Sequence, residues 1–547
     1  MHADVTAREE GMSNMAWNEA TALERIKKLA GSAPTFDVQK FSDYLLRYEM
    51  NVALQKARKE RSSPPLFSLP RGKAVVVDTV QIYVGITNYD EYRLEGGRET
   101  EASHERALRF LHLYYSAADR VIEASAAQRV DFHNGRVHAV VLERGNRGVT
   151  SDTLAEALAF VEDFLRVADI ANRDLARGEF TARFRVGIDV GTCVAINNGT
   201  GHEQEPMFLG SAANHAAKLA AGKEPGIYLS GRARALIGLQ ELGIMGDLSP
   251  VAEGLVAAQA ARRSTDGRLV YGAQDRRDYS DGLILNWREE IKRGEVPDFT
   301  VPVFRFHFRE PPLRTLDYGE LMPSNSIRMP VVSVFADLSG YTDYIDHAVA
   351  TGRIRDAVRA LYVIRQEFQA VVEKDFGGRK VRFIGDCIHA VVAEGSSGEI
   401  DPRRSVSTAA LCAGGLHSSF NLCKGVLGGL DSLGLAVGLE IGPTPISRIG
   451  IRGDRSVRVA SSIATTLSEK MQQDCHDHGL RLGPTALRVA PSALGDLLDA
   501  KGFGVHVSYS DMAACLSVLP ASTASPNYAR AHLPENPHQH RAHLTIE

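Results

Sequence analysis

Cysteine is scarce in this sequence, with 6 in 547 residues. That density cannot staple a fold, so a packed core in a reducing, cytoplasmic setting is expected. No run of about 18 apolar residues occurs, so no membrane span is expected. The opening stretch mixes polar and charged side chains and does not read as a secretory leader. Charge of neither sign dominates: 63 Lys and Arg stand against 67 Asp and Glu, a net of −4. This excludes both the basic surplus of a nucleic-acid binder and an acidic tail. What is present is an ordinary globular composition, 44% hydrophobic and 24% charged. At roughly 100–200 residues per domain, the length calls for several domains.

The chain opens with a helical pattern, in which Phe41, Leu45, Tyr48 and Val52 recur at helical spacing. Arg61-Ser62-Ser63-Pro64-Pro65 then reads as a linker. A β run at Ala74-Val75-Val76-Val77 starts a new pattern, which returns at Val331-Val332-Ser333-Val334-Phe335. Further stretches correspond in the same order. Val84-Gly85-Ile86-Thr87 lies over Ser339-Gly340-Tyr341-Thr342 when Gly85 is set against Gly340. Val130 to Val141 lies over Val381 to Val392, each reading as strand, turn, strand. Val186-Gly187-Ile188-Asp189 lies over Val437-Gly438-Leu439-Glu440. An amphipathic helix follows the first match in each half. Leu108, Leu111, Tyr115, Ala118 and Ile122 share one face, and Ile354, Val358, Leu361, Phe368 and Val372 share the other. Ordered matches of this kind predict a duplicated α/β domain. The expected organisation is an N-terminal helical segment and linker at 1–70, a first domain at 71–310 and a linker at 311–328. A second domain at 329–520 and a flexible tail at 521–547 complete it.

Chemistry-bearing residues gather in the second half. In Phe335-Ala336-Asp337-Leu338-Ser339-Gly340-Tyr341-Thr342 a carboxylate ends a hydrophobic strand and a glycine turn follows. Such a turn can aim backbone N–H groups at an anion while the carboxylate holds a metal. Asp386 follows Gly385 in the strand–turn–strand, 49 residues after Asp337. A β–α–β path of that length can bring the two turns side by side. Two carboxylates at adjacent strand ends suit a Mg²⁺ site serving a phosphate substrate.

The strand-end aspartate, its glycine turn, the later Gly-Asp hairpin and their spacing resemble class III nucleotidyl cyclases, and the resemblance spans both repeats. It implies an α/β protein of the α+β ferredoxin-like cyclase fold, with two tandem domains forming a pseudo-symmetric intramolecular dimer. It also implies conversion of a nucleoside triphosphate to a 3′,5′-cyclic monophosphate and pyrophosphate. Asp337 and Asp386 would hold two Mg²⁺ or Mn²⁺ ions, and Leu338, Ser339, Gly340, Tyr341 and Thr342 would cradle the triphosphate.

The first repeat lacks those carboxylates, because the alignment sets Ile82 against Asp337 and Gly135 against Asp386. It carries instead Gly210-Ser211-Ala212-Ala213-Asn214-His215-Ala216-Ala217-Lys218, similar to the family's G-x-x-V-N-x-A-x-R helix. Asn214 and Lys218 are four apart and share a helix face. The resemblance implies that Asn214 orients the ribose and that Lys218 meets charge on the α-phosphate. Lysine here replaces arginine, keeping the charge but losing the planar fork. In the second repeat the alignment sets Arg458 and Ser462 at these two positions. Each half keeps what the other lacks, as in the family's heterodimers, with one composite site and one dead pseudo-site.

Two further positions of the Asn-bearing half read the base in the family, and here they are Asp131 and Met207. An ionised aspartate cannot donate to adenine N1. It can accept from the imide N–H of uracil or guanine, or from the cytosine amino group. Met207 offers soft apolar contact. The chain is similar to bacterial antiphage pyrimidine (uridylate/cytidylate) cyclases, which favours UTP narrowly. A guanylate or relaxed-specificity cyclase, and an inactive nucleotide-binding pseudo-cyclase, are the alternatives. Lys292, Arg293 and Arg448 are candidates for a basic residue on the triphosphate tail. The nucleotide is the expected partner, with no nucleic acid and no membrane, and a homodimer is permitted but not needed. Cys475-His476-Asp477-His478 and the tail residues His538, His540 and His543 are weaker candidates for metal binding.

Overall fold

The computed structural model describes residues 16–517, apart from 59–63, 68, 146–147, 198–204, 242–248, 262–272, 397, 452–455 and 476–478. The tail histidines and His476-Asp477-His478 lie outside the described residues. The cysteines are free thiols, as their number predicts. Among the described residues no helix is long and apolar enough to cross a membrane.

The strands form two large sheets and one short hairpin. The first sheet is built from β1 (Asp37–Lys40), β2 (Lys73–Ile86), β3 (Gln128–His133), β4 (Arg136–Leu142), β5 (Phe184–Asn197), β6 (Pro206–Leu209) and β7 (Gly226–Leu229). Its order is β3-β4-β2-β5-β6, with β1 parallel to β2 and β7 parallel to β5. The main strands of the second sheet are β8 (Ser326–Ser339), β9 (Arg379–Ile384), β10 (Cys387–Val392), β11 (Gly434–Ile449), β12 (Val457–Ala460), β13 (Gly479–Leu482) and β14 (Phe503–Val505). Its order is β9-β10-β8-β11-β13-β14, with β12 antiparallel to β11. β8 begins inside the span expected to be a linker.

The helices that matter here are α1 (Glu19–Ser32), α2 (Phe41–Ala57), α3 (Glu101–Glu123), α4 (Ser151–Leu175) and α5 (Ser211–Ala220) in the first half. Those of the second half are α6 (Tyr341–Ala350), α7 (Ile354–Ala370), α8 (Pro402–Leu427) and α9 (Ile463–Gln473). α3 starts at a reciprocal cap, in which Thr100 and Ser103 each accept the other's backbone N–H. Its predicted apolar face is buried. The two cores interlock. Ile449, Val457 and Val459 pack into the first, while Val194, Ile196, Met207 and Leu209 pack into the second. Fully burying one such side chain stabilises the fold by about 1.5–3 kcal/mol, so the halves hold each other.

The ladders correspond position by position. Tyr83 pairs with His138 and Gly187, and Phe335 pairs with His389 and Gly438. The register therefore sets Gly85, not Ile82, opposite Asp337 in the comparison of halves. Ile82 is a core residue at 0% exposure. Gly135 does occupy the turn position of Asp386, since His133–Arg136 and Ile384–Cys387 close matching hairpins. Helix positions follow from two close approaches. A Cβ on Gly187 would collide with the Ala216 carbonyl, and one on Gly438 with the Ser468 carbonyl. Ala216 thus matches Ser468, so Thr466 and Lys470 match Asn214 and Lys218. The expectation of Arg458 and Ser462 is corrected. Arg458 lies in β12, and Ser462 caps α9, its hydroxyl accepting from Thr465 N.

The N-terminal segment is helix, strand, helix rather than helical throughout. β1 joins the first sheet while α1 clamps the second half. Arg25 meets Glu367 at 2.6 and 2.7 Å and Asp375 at 2.8 and 3.1 Å, and Trp17 Nε1 donates to Ser419 at 2.8 Å. α2 forms where predicted, although of its expected face only Phe41 is buried.

Candidate functional site

One cavity of about 770 Å³ opens between the halves. Asp131, Met207, Asn214 and Lys218 line it from the first half. Asp337, Asp386 and the turn Leu338 to Thr342 line it from the second. These residues, expected from the sequence to bind metal, ribose, phosphate and base, therefore face the same space.

β8 delivers Asp337 at its end, and the β9–β10 turn delivers Asp386. Both are recessed and partly exposed to the cavity. Burial pushes both carboxyls above the usual range, with Asp337 adding to the shift at Asp386 and Glu469 to that at Asp337. Gln472 Nε2 lies 3.4 Å from Asp337 Oδ2. A recessed carboxylate pair that resists ionisation is suited to cations. Among the described residues no cluster of three or more His, Cys, Asp or Glu forms a metal cage. The pair thus fits hard ions whose remaining ligands are water or substrate oxygens.

Gly340, at φ 79°, turns the chain from β8 into α6. The first N–H groups of a helix have no intrahelical acceptor, so this turn presents donors to an anion. α5 faces it. Asn214 Nδ2 donates to Thr342 Oγ1 at 2.6 Å, and Ser211 N to Asp346 Oδ1 at 3.2 Å. Lys218 is exposed on the same face of α5.

Asp131 meets Arg382 at 2.6 Å and His133 Nδ1 at 2.9 Å. Burial raises its pKa, but Arg382 and then His133 outweigh burial and hold the carboxyl well below the usual range. Met207 is buried in β6. Lys292 and Arg293 lie elsewhere on the surface, paired with Glu289 and Glu295, and Arg448 does not line the cavity.

The matching place between the halves is filled by the protein itself. Arg93 donates to Thr466 Oγ1 at 2.8 Å and to the Ser462 carbonyl at 2.9 Å. Glu99 accepts from Ile463 N at 2.7 Å and lies 3.1 Å from His104 Nε2.

Sequence reasoning missed charged residues of the cavity wall, among them Arg136, Glu205, Asp343, Arg365 and Glu469. Arg365 falls in the apolar series Ile354, Val358, Leu361, Phe368 of α7, and a charge at that slot was the available signal.

A relative from a Rhizobium species, named uridylate cyclase, is 42% identical over 489 residues, covering 88% of this chain and 92% of its own length. A second uridylate cyclase, from Pseudomonas aeruginosa, is 35% identical over 460 residues, covering 83% of this chain and 85% of its own length. The structure of a class III adenylyl cyclase-like ATP-binding protein from Pseudomonas aeruginosa superposes with a TM-score of 0.79 at 32% identity, covering 92% of this chain and 100% of that one. No family model matches the chain. The mixed α/β architecture is cyclase-like by this structural match.

Proposed function

Because the chain belongs to the uridylate cyclase family, we propose that it converts UTP to 3′,5′-cyclic UMP and pyrophosphate. The observation that carries this reading is the cavity between the halves, walled by Asn214 and Lys218 from one half and by Asp337 and Asp386 from the other. We read residues 71–310 and 329–520 as tandem cyclase domains arranged as an intramolecular pseudo-dimer. The matching ladder registers support that division. A second chain is then not needed to complete the site.

The family implies use of a divalent metal, and the recessed carboxylates Asp337 and Asp386 would hold it. Bound Mg²⁺ or Mn²⁺ would lower the pKa of the ribose 3′-OH and offset phosphate charge. The chain's own residues do the rest. The N–H groups of Leu338 to Thr342 hold the triphosphate. Asn214, steadied by Thr342, fixes the ribose so that its 3′-oxygen faces the α-phosphorus. Attack is intramolecular, and well-oriented cases gain up to about 7–11 kcal/mol from such positioning. The 3′-oxygen bonds to the α-phosphorus, the bond to the β-phosphate bridge breaks, and pyrophosphate leaves as the 3′-OH proton passes to solvent. Lys218 meets charge developing on the α-phosphate. Asp131, kept ionised by Arg382 and His133, accepts the imide N–H of uracil, and Met207 supports the ring.

The test is turnover of ATP, GTP, CTP and UTP separately with Mn²⁺ and then Mg²⁺, with products identified by mass. Cyclic UMP as the dominant product is expected. Dominant cyclic AMP would favour the chemistry named for the solved relative. Binding without any cyclic product would point to a pseudo-enzyme.

A further inference from the structure

α2 is apolar on two sides. One side packs on the first sheet, where Phe41, Tyr44 and Leu45 join a cluster with Val75 of β2, Val140 of β4 and Ala195 of β5. The other side faces solvent. Leu46, Met50 and Leu54 are 66%, 69% and 58% exposed, and Ala53 and Ala57 are exposed beside them. Residues four apart lie on one helix face, so these side chains form a single stripe. Seven large hydrophobics are exposed among the described residues, and three of them stand in this one helix. Exposed apolar side chains scattered singly need no partner, but a contiguous stripe marks a contact.

The charges around the stripe decide what covers it. Leu46 stands four residues before Met50 and Leu54 four after, so the stripe reads alike from either end. Asp43 lies in the first turn, Lys56 in the last, and Arg58 caps the helix. All three are exposed. A second α2, turned end for end about Met50, would set its Leu54 beside Leu46 and its Arg58 beside Asp43. Two helices running the same way would set Asp43 on Asp43 and Arg58 on Arg58. Opposite charges and opposed helix dipoles both favour the antiparallel order. The same patch then serves on both sides, which is the contact of a two-fold dimer.

We propose that α2 is a homodimer contact, in which two copies of this chain pair antiparallel through Leu46, Met50 and Leu54 about a two-fold axis at Met50. Standard interfaces bury about 1,200–2,000 Å², and one helix against another reaches at most the low end. The dimer is therefore weak, with a Kd of about 10–100 µM. None of these residues lines the cavity, so the contact stands or falls apart from the UTP reading.

Light scattering of the full chain from about 1 to about 300 µM spans that Kd. The mass should rise from one chain toward two. Met50→Glu should stay monomeric throughout, while melting as the unaltered protein does when dilute. Asp43→Arg should raise Kd about tenfold, and adding Arg58→Asp should restore it. Cysteine pairs then read the register. The native described cysteines are buried or half-buried, so an added exposed one is the reactive thiol. Under mild oxidation Met50→Cys should form a disulfide with its own copy. Leu46→Cys and Leu54→Cys should link to each other when mixed but neither to itself, since like positions lie about 12 Å apart along the axis. A monomer at every concentration overturns the proposal, including the case in which residues 1–15 of the same chain shield Met50→Cys from a maleimide. A dimer that survives Met50→Glu, or one in which Leu46→Cys links to itself, overturns it too.

Discussion

Consider Asn214→Ala. In the folded protein the Asn214 amide makes one described side-chain hydrogen bond, 2.6 Å to Thr342 Oγ1, at the cavity mouth. A net neutral hydrogen bond contributes about 0.5–1.5 kcal/mol, and exposure places this one at the low end. Alanine is the better helix former, by at most about 0.7 kcal/mol. The two effects oppose each other, so folding stability should move by less than about 1 kcal/mol. Catalysis should move much further. Loss of one positioned donor in an active site lowers kcat roughly 10²–10³-fold, about 2.7–4 kcal/mol. The assay is pyrophosphate release across a range of UTP concentrations, with a urea midpoint measured on the same preparation. A large fall in kcat with little change in KM or stability is expected. A kcat within threefold of the unaltered protein, or a loss carried wholly by KM, would refute the ribose assignment.

Asp337→Ala should abolish turnover while leaving the fold intact, since it removes one member of a carboxylate pair that burial already penalises. Mg²⁺ at ten times its Kd should stabilise the unaltered protein by about 1.4 kcal/mol and leave the variant unmoved, which a thermal melt reads directly. Acid should weaken the fold through buried neutral histidines. Burial, and then Arg120, push the His112 pKa down to about 4, and its Nδ1 accepts from Gly450 N at 2.7 Å. The unfolded chain takes up the proton near pH 6.5 while the folded chain refuses it until about pH 4, so stability falls as pH drops through that window. By pH 5 the cost is about 2 kcal/mol. His112→Gln should reduce the fall in unfolding free energy, read by urea titration, between pH 8 and pH 5 by that amount, and an unchanged slope would remove His112 as its source.

The repeat was legible because ladders obey a period of two and the two hairpins share their turn chemistry. The three-residue error at Ile82 came from setting Gly85 against Gly340, glycines present for different reasons. Gly340 sits at φ 79° in a turn, while a Cβ on Gly85 would come within 3.0 Å of the Ala220 carbonyl. One is needed for conformation and the other for close approach, and the letter alone does not separate them. Asn214 and Lys218 stood out through the resemblance of their stretch to the family's helix motif, and the structure sets both on α5 in the cavity wall. Thr466 and Lys470 did not stand out, because their alignment depends on where a cap ends and a helix begins. Glu205 and Arg365 were hidden because their meaning depends on a wall contributed by both halves.

The ion pair between Asp131 and Arg382 carries a consequence for how this chain can vary. The two residues occupy matching positions, opposite His138 and His389 in their ladders. In an assembly of two identical subunits, one codon would write both positions, and two aspartates or two arginines would face each other. Here two codons write them, and they carry opposite signs at 2.6 Å. A substitution in this gene is made once per site rather than twice, so each wall of the cavity is free to be tuned without altering its counterpart.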